Sequence, residues 1–157
     1  MAAITVTRTI PAPTEEVFDW VSDASHFPES SWIVLRARLA QEGEGAPYGR
    51  GAIRIVTWVI GHFTEHITAY QRPVNGEAGY FDYLVTQSFP PARHEGGRVT
   101  CTPVDDGTRV DWSTAVRVPL VPNFVVQHLA LPIFAHVFRR VLQRCATQLT
   151  ASGNRGR

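Results

Sequence analysis

The sequence predicts an α+β domain in which one curved antiparallel sheet of seven strands surrounds a long C-terminal helix. Two patterns indicate this architecture. Between residues 32 and 118 the chain has the pattern of successive short strands separated by turns, which is typical of an antiparallel sheet. From Pro132 onward the apolar residues recur at helical spacing. A single apolar helix of this kind is expected to cover the concave face of the sheet.

A strand and two short helices are predicted ahead of the main run of strands. Residues 4–10 alternate between threonine and mainly apolar side chains, which favours a strand, and Pro11 ends it. Thr14 is placed to cap a helix whose apolar stripe begins at Val17. Residues 23–31 have the pattern of a turn or a second short helix.

Six further strands and the long helix complete the predicted order. The strands are predicted at residues 32–41, 52–58, 63–70, 79–89, 98–103 and 108–118. Asp105-Asp106-Gly107 is a strong hairpin signal between the last two. Asn123 is a candidate cap for a short helix before the long one. The apolar stripe of the long helix is formed by Phe134, Phe138, Val141, Leu142, Cys145 and Leu149.

Composition indicates one globular domain without an electrostatic attraction to nucleic acid. The chain has 157 residues, 44% of them hydrophobic and 18% charged, which suffices for a buried core. We predict a single domain over residues 1–151 and a flexible polar tail over residues 152–157. The net charge of +1 gives no field of one sign to attract nucleic acid.

The spacing of cysteine, histidine and proline residues limits where the protein can be located and which metal or membrane sites it can form. Cys101 and Cys145 show no CxxC spacing, so two buried free thiols in the reducing cytoplasm are expected. No histidine pair has metal-ligand spacing, and no metal site is predicted. The N-terminus lacks the apolar stretch of a signal peptide. The apolar segment 118–138 is interrupted by proline and polar residues, which argues against stable membrane insertion.

Two stretches of the sequence carry a resemblance to a known family. One is the first strand, residues 4–13, with Glu16-Val17-Phe18-Asp19 behind it; the other is the hairpin formed by residues 98–103 and 107–112. Together with the element order, they make the chain resemble the polyketide cyclase/dehydrase branch of the START/Bet v 1-like (SRPBCC) superfamily, from about residue 3 to residue 151.

This resemblance implies a helix-grip fold, β-α-α-β6-α, with a deep cavity between the sheet and the C-terminal helix. Members bind lipids, sterols, plant hormones or polyketides, and some catalyse cyclisation or aromatisation. No external cofactor is implied. A fold that serves so many functions does not identify its ligand.

Glu65 is the candidate catalytic residue. Strand alternation places it on the same face as Phe63, Ile67 and Ala69, so a carboxylate is expected inside the apolar cavity. There it could orient a ligand hydroxyl or act as a base. The alternatives are a bulge that turns Glu65 outward, or a structural ion pair with an arginine.

The predicted ligand-binding residues come from the faces that alternation groups together. They are Arg54, Trp58, Phe63, Ile67, Tyr83, Val85, Gln87, Trp112, Thr114, Phe134 and Phe138. Tyr83 and Gln87 offer hydrogen bonds in an otherwise apolar pocket, whereas plain core packing is the alternative for the aromatic residues. Either face of its strand suits Arg54: an inward guanidinium would bind a carboxylate or enolate oxygen, and an outward one would be solvated.

We therefore expect a protein that binds a small hydrophobic molecule, with or without cyclase- or dehydrase-type acid–base chemistry by Glu65 or a tyrosine. The apolar loops at residues 58–61 and 119–124 suit either a cavity entrance or a homodimer contact. An accessory protein with a collapsed cavity is the alternative function. A toxin-like or ribosome-associated partner is a third, against which the low net charge argues.

Overall fold

The computed structural model describes residues 1–155, and its centre is one seven-stranded antiparallel sheet. The strands are β1 (Ala2–Ile10), β2 (Val34–Gln41), β3 (Ile53–Trp58), β4 (Gly61–Gln71), β5 (Gly79–Phe89), β6 (Arg93–Val104) and β7 (Gly107–Arg117). Their order across the sheet is β1-β7-β6-β5-β4-β3-β2. Each strand from β2 to β7 thus pairs with its neighbour in sequence, and β1 pairs with β7.

Helices occupy the two ends of the chain. Near the N-terminus lie α1 (Thr14–Ser22), a 3₁₀ turn (Ala24–His26) and α2 (Phe27–Ser30). After β7 come α3 (Asn123–Val125), a π-helical turn (Val126–Ala130) and α4 (Leu131–Arg155). The predicted order of one strand, two short helices, six strands and a long helix is confirmed.

The first helices connect the two edge strands of the sheet, β1 and β2. Thr14 is the first residue of α1 and does not cap it, because Pro13 occupies the cap position. The Thr14 hydroxyl instead lies 3.0 Å from that of Thr108, which donates to the Ala12 carbonyl at 2.9 Å. Both threonines therefore tie the entry of α1 to β7. Asn123 is likewise the first residue of α3 rather than its cap, which is Pro122.

The apolar stripe of α4 packs against the concave face of the sheet, as predicted. Phe138, Val141, Leu142 and Cys145 are buried, whereas the arginines between them are exposed. The helix runs to Arg155, so the segment predicted as a tail from residue 152 begins in helical conformation. The last two residues of that predicted tail, 156 and 157, lie outside the described residues.

Strand β6 begins at Arg93, five residues before the predicted start at Arg98, because it pairs along its whole length with β7. Its pairing with β5 is much shorter. The two strands meet only over Gly79–Tyr83 and Gly97–Cys101, although a turn of residues 90–92 joins their other ends. The β5–β6 hairpin is therefore splayed open on the side of its turn.

Candidate ligand-binding cavity

A cavity of about 300 Å³ lies between the concave face of the sheet and the C-terminal helices. Its wall is mostly apolar and aromatic. The lining residues are Phe27, Val56, Trp58, Ile60, Phe63, Glu65, Tyr83, Val85, Ser88, Pro90, Pro91, Ala92, His94, Trp112, Thr114, Val116, Val118, Val126, Ala130, Phe134, Val137 and Phe138. They come from β3 to β7 and the loops at the ends of these strands, from α2 and from the helical segment 126–138, so the cavity exists only once sheet and helices have assembled.

Aromatic pairs join the helix to the sheet around this space. The Phe138 ring stacks on Trp112 with centroids 4.1 Å apart and planes 10° apart. The Phe134 ring lies 5.0 Å from that of Trp58, which in turn meets Phe63 edge-on at 5.6 Å. Aromatic contacts in these geometries each add about 0.5–1.5 kcal/mol beyond the area they bury. The helix is thereby held away from the sheet on bulky side chains.

A buried ion pair forms one polar part of the cavity region. Arg54 is 1% exposed, and its Nε donates to Glu65 Oε2 at 2.6 Å. A terminal nitrogen of the same guanidinium approaches the Ser22 carbonyl oxygen at 3.5 Å. The rings of Phe27, Phe81 and Tyr83 surround it, with centroids 5.4–5.7 Å from its Cζ. A buried charge needs such a paired and hydrogen-bonded environment.

Glu65 faces the cavity and is paired with arginine at the same time. Its side chain is 14% exposed and lines the wall, while one carboxylate oxygen is engaged by Arg54. The inward orientation and the structural ion pair were alternatives at the sequence level, and the structure combines them. Arg54 itself points inward but lies behind the cavity wall, so it contacts Glu65 rather than the open space.

A second polar cluster lies where β5, β6 and β7 meet. Trp112 Nε1 donates to the Tyr83 hydroxyl at 2.9 Å. His94 Nε2 lies 2.7 Å from the Thr114 hydroxyl, and the His94 and Tyr83 rings stack with centroids 5.4 Å apart. Gly97 permits this arrangement, because a Cβ at that position would collide with the Tyr83 ring. We call Tyr83, His94, Thr114 and Trp112 the polar cluster.

Burial alters the acid–base properties of two members of the polar cluster. It raises the pKa of Tyr83 to about 12, and the nearby Glu65 charge adds to this effect. Hydrogen bonds from Thr114 and Trp112 oppose it. Burial also lowers the pKa of His94, against the opposing influence of Glu65 and Glu95. A protonated phenol and a neutral imidazole are therefore the stable forms near neutral pH.

His94 compensates for the splayed hairpin. Beyond Tyr83, β5 finds no backbone partner in β6, and the Val85 amide donates to His94 Nδ1 at 3.1 Å. An extra residue, Glu95, interrupts the β6–β7 register next to His94. A buried backbone N–H without a partner is costly, and the imidazole nitrogen supplies that partner.

The structure brings most of the predicted site residues to the cavity wall. Those that line it are Trp58, Phe63, Glu65, Tyr83, Val85, Trp112, Thr114, Phe134 and Phe138. Ile67 is buried in the core below the wall, as is Arg54. Their roles in ligand binding remain predictions.

Gln87 and Ala69 lie on the opposite face from the one predicted. Between Glu65↔Val85 and Thr64↔Gln87 the register shifts, because Thr86 is an extra residue in β5. The exposed Gln87 therefore points outward, and Ser88 takes the inward position. A similar shift leaves Thr68 as the extra residue between Ile67 and Ala69. Each bulge reverses the alternation on which the prediction depended.

His94 and Ser88 are the polar lining residues that sequence reasoning missed. His94 precedes Gly96-Gly97, and because the next strand was predicted to start at Arg98, it fell outside every predicted strand. Gly96 has a φ of 127°, so this glycine pair belongs to a bulge within β6. Glycines inside a strand indicate a bulge as well as a turn, and that was the available signal.

Both apolar loops singled out in the sequence lie near one end of the cavity. Ile60 in the first and Val118 beside the second contribute to its wall. Leu120, Phe124 and Leu129 near the start of the helical segment are strongly exposed. This arrangement agrees with an entrance at this end, while the homodimer contact stays a prediction.

Within residues 1–155, the structure offers no group of three or more histidine, cysteine or acidic side chains that could hold a metal ion. Over the same residues, no helix has the length and apolar character needed to cross a membrane. Both cysteines are free and buried.

The family model for "Polyketide cyclase / dehydrase and lipid transport" matches residues 1–151. The chain therefore belongs to this family, and its predicted helix-grip fold, shared with START and Bet v 1-like structures, is confirmed. Family and fold together indicate a domain of the class that binds hydrophobic ligands. No curated protein sequence matches the chain.

Solved structures share the fold at low sequence identity. A START superfamily protein from Mycobacterium smegmatis has a TM-score of 0.70 and 16% identity, covering 94% of this chain and 99% of that one. TTHA0849 from Thermus thermophilus has a TM-score of 0.67 and 14% identity, covering 96% and 98%. Ara h 8.0201 has a TM-score of 0.65 and 13% identity, covering 92% and 97%. At these identities the likeness concerns the fold alone.

Proposed function

We propose that this protein binds a small hydrophobic molecule in the cavity between its sheet and α4. The observation that carries the proposal is an apolar space of about 300 Å³ bounded by aromatic side chains. Ligand sites typically begin near that volume and combine apolar walls with a few placed polar groups. Removing ligand surface from water at about 25 cal/mol per Å² would supply most of the affinity.

The size of the cavity argues against the alternative of a collapsed core. Well-packed protein interiors contain few voids larger than a water molecule, whose share of liquid volume is about 30 Å³. The space here is about ten times larger. Empty apolar volume lowers stability, by about 24 cal/mol per Å³ in a measured series of core cavities, so the fold would gain from filling it with a ligand.

Acid–base chemistry on the bound molecule is a second candidate function. It is favoured by Glu65 and Tyr83, an acidic and a phenolic residue that line the same cavity. In this proposal Glu65 accepts or returns a proton of the ligand inside a dry pocket, without an external cofactor. We place the protein in the cytoplasm, consistent with its two free thiols, and retain the exposed apolar residues at the entrance as a candidate homodimer contact.

Adjacent positions on the π-helical turn provide a matched test of cavity binding. Ala130 lines the cavity, whereas Leu129 is 68% exposed. Fluorescence titration with the neutral dye N-phenyl-1-naphthylamine should show saturable binding to the folded protein. Ala130→Phe should fill the cavity and abolish this binding, and Leu129→Phe should leave it unchanged. Dye binding that appears only on partial unfolding, or that survives Ala130→Phe, would contradict the proposal.

A further inference from the structure

The hydrogen bonds of His94 determine which groups of the polar cluster donate and which accept. Its Nδ1 accepts the Val85 backbone N–H, a donor that cannot reverse. Because burial favours the neutral ring, the remaining ring proton must lie on Nε2. His94 Nε2–H therefore donates to Thr114 Oγ1 at 2.7 Å. The Thr114 hydroxyl proton is left free to donate onward.

The Tyr83 hydroxyl belongs to the same cluster. Its oxygen accepts from Trp112 Nε1 at 2.9 Å, and among the hydrogen bonds of residues 1–155 none uses the Tyr83 hydroxyl proton. A phenol has one proton to donate. The Tyr83 hydroxyl is consequently left as a hydrogen-bond donor, and Tyr83 lines the cavity.

Glu65 supplies the complementary acceptor. Arg54 Nε engages its Oε2, and among the hydrogen bonds of residues 1–155 none involves Oε1. Glu65 is the cross-strand partner of Val85, two residues from Tyr83 on the same face of the sheet. No hydrogen bond joins Tyr83 to Glu65 among the described residues, although the Glu65 charge contributes to the raised pKa of Tyr83. An unused donor and an unused anionic acceptor thus border the same space.

We propose, on the basis of the proposed function, that the Tyr83 donor and the Glu65 acceptor select hydrophobic ligands with a neutral hydroxyl group, such as phenols and alcohols. The same pair rejects carboxylates. A hydroxyl oxygen accepts from Tyr83 while its proton is donated to Glu65, so one hydroxyl group satisfies both residues. A carboxylate offers no proton to Glu65 and places a second negative charge beside it in a cavity of low dielectric. A ketone or ether satisfies Tyr83 only.

Ligands with one common ring system test this selection on the unmodified protein. Isothermal titration calorimetry at pH 7 would compare naphthalene, 2-methoxynaphthalene, 2-naphthol and 2-naphthoate. We expect 2-naphthol to bind at least tenfold more tightly than naphthalene, with the ether between them, because a hydrogen bond to a charged group is worth more than a neutral one. We expect 2-naphthoate to bind at least tenfold more weakly than naphthalene. Equal affinities for naphthalene and 2-naphthol would overturn the inference.

Two variants assign the selection to named groups. Tyr83→Phe should cut 2-naphthol affinity at least fivefold and leave naphthalene affinity within about twofold, since a neutral hydrogen bond contributes on the order of 1 kcal/mol. Tyr80→Phe is the matched control, because Tyr80 lies on the same strand but packs under the exposed Arg98 on the outer face. Glu65→Gln should restore 2-naphthoate binding to at least the naphthalene level. Glu95→Gln, which removes a charge outside the cavity wall, should not.

The experiment separates failure of the inference from failure of the proposed function. If no compound of the series binds, cavity binding itself is refuted. If naphthalene binds but the hydroxyl gives no advantage and the carboxylate no penalty, only the selection is refuted. Should Tyr83→Phe not fold, because it leaves the Trp112 N–H unpaired, the series on the unmodified protein and on Glu65→Gln still decides the question.

Discussion

Replacement of Arg54 by methionine tests the ion pair that underlies the cavity wall. Arg54 is 1% exposed, and Glu65 at 14% exposure faces the cavity, so the carboxylate that remains in Arg54→Met has little access to bulk water. Breaking a buried ion pair by removing one partner typically costs about 3–5 kcal/mol. Methionine fills much of the same space among three aromatic rings, which limits the additional loss from packing.

The double variant Arg54→Met/Glu65→Leu gives the matching control. Replacing a whole buried pair by apolar residues of similar volume is often neutral or stabilising, so the double variant should recover most of the loss. Urea unfolding with an unchanged m-value would provide the free energies of unfolding, and the double-mutant cycle would isolate the coupling of the two residues. The reasoning is refuted if Arg54→Met costs less than about 1 kcal/mol, or if the double variant is no more stable than Arg54→Met.

Three further predictions concern the helix, the polar cluster and the thiols. Phe138→Ala should lower the free energy of unfolding by about 3–5 kcal/mol in urea melts, because the ring is buried against the sheet. Phe124 has an exposed ring, so Phe124→Ala should change the free energy of unfolding by less than about 0.5 kcal/mol. Because the folded pKa of His94 lies below its ordinary value, the unfolded chain binds the extra proton first. The stability contributed by His94 should therefore be complete above about pH 6.5 and decline as pH falls through the lowered folded pKa. His94→Gln should flatten this part of the profile of unfolding free energy against pH. An unchanged profile would contradict the assignment. Burial raises the pKa of Cys101 and of Cys145 to about 12, so a thiol reagent at pH 7 should label neither until the protein unfolds, and rapid labelling of the native protein would show that this part of the core opens.

Local patterns in the sequence were sufficient for the architecture. Alternation marks the strands, the change to helical spacing after residue 131 marks α4, and each signal depends on a residue's near neighbours. The same logic correctly placed Phe138 and Val141 on the buried face of the helix, since helical periodicity continues without interruption there. It also placed Trp112 and Thr114 inward, because the β1–β7 pairing contains no bulge.

Alternation failed where a bulge intervened. The extra residue Thr86 reverses the faces of β5 beyond Val85, which exchanges Gln87 for Ser88 at the cavity wall. This bulge arises from the pairing of β5 with β4, and unlike the bulge in β6 it has no glycine in residues 84–88 to indicate it. The sequence also could not show that Glu65 both faces inward and pairs with an arginine. Arg54 lies on the neighbouring strand and reaches Glu65 only when the two strands pair.

The sequence by itself thus determined the element order, the antiparallel sheet, the covering helix and the family. Only the tertiary structure decided which polar groups meet inside. His94 enters the site because the β5–β6 hairpin splays and leaves the Val85 amide in need of a partner. The Tyr83 hydroxyl is left as a donor because Trp112, from another strand, donates to its oxygen. Periodicity is a property of neighbouring residues along the chain, whereas the direction of a hydrogen-bond chain depends on atoms that only folding brings together.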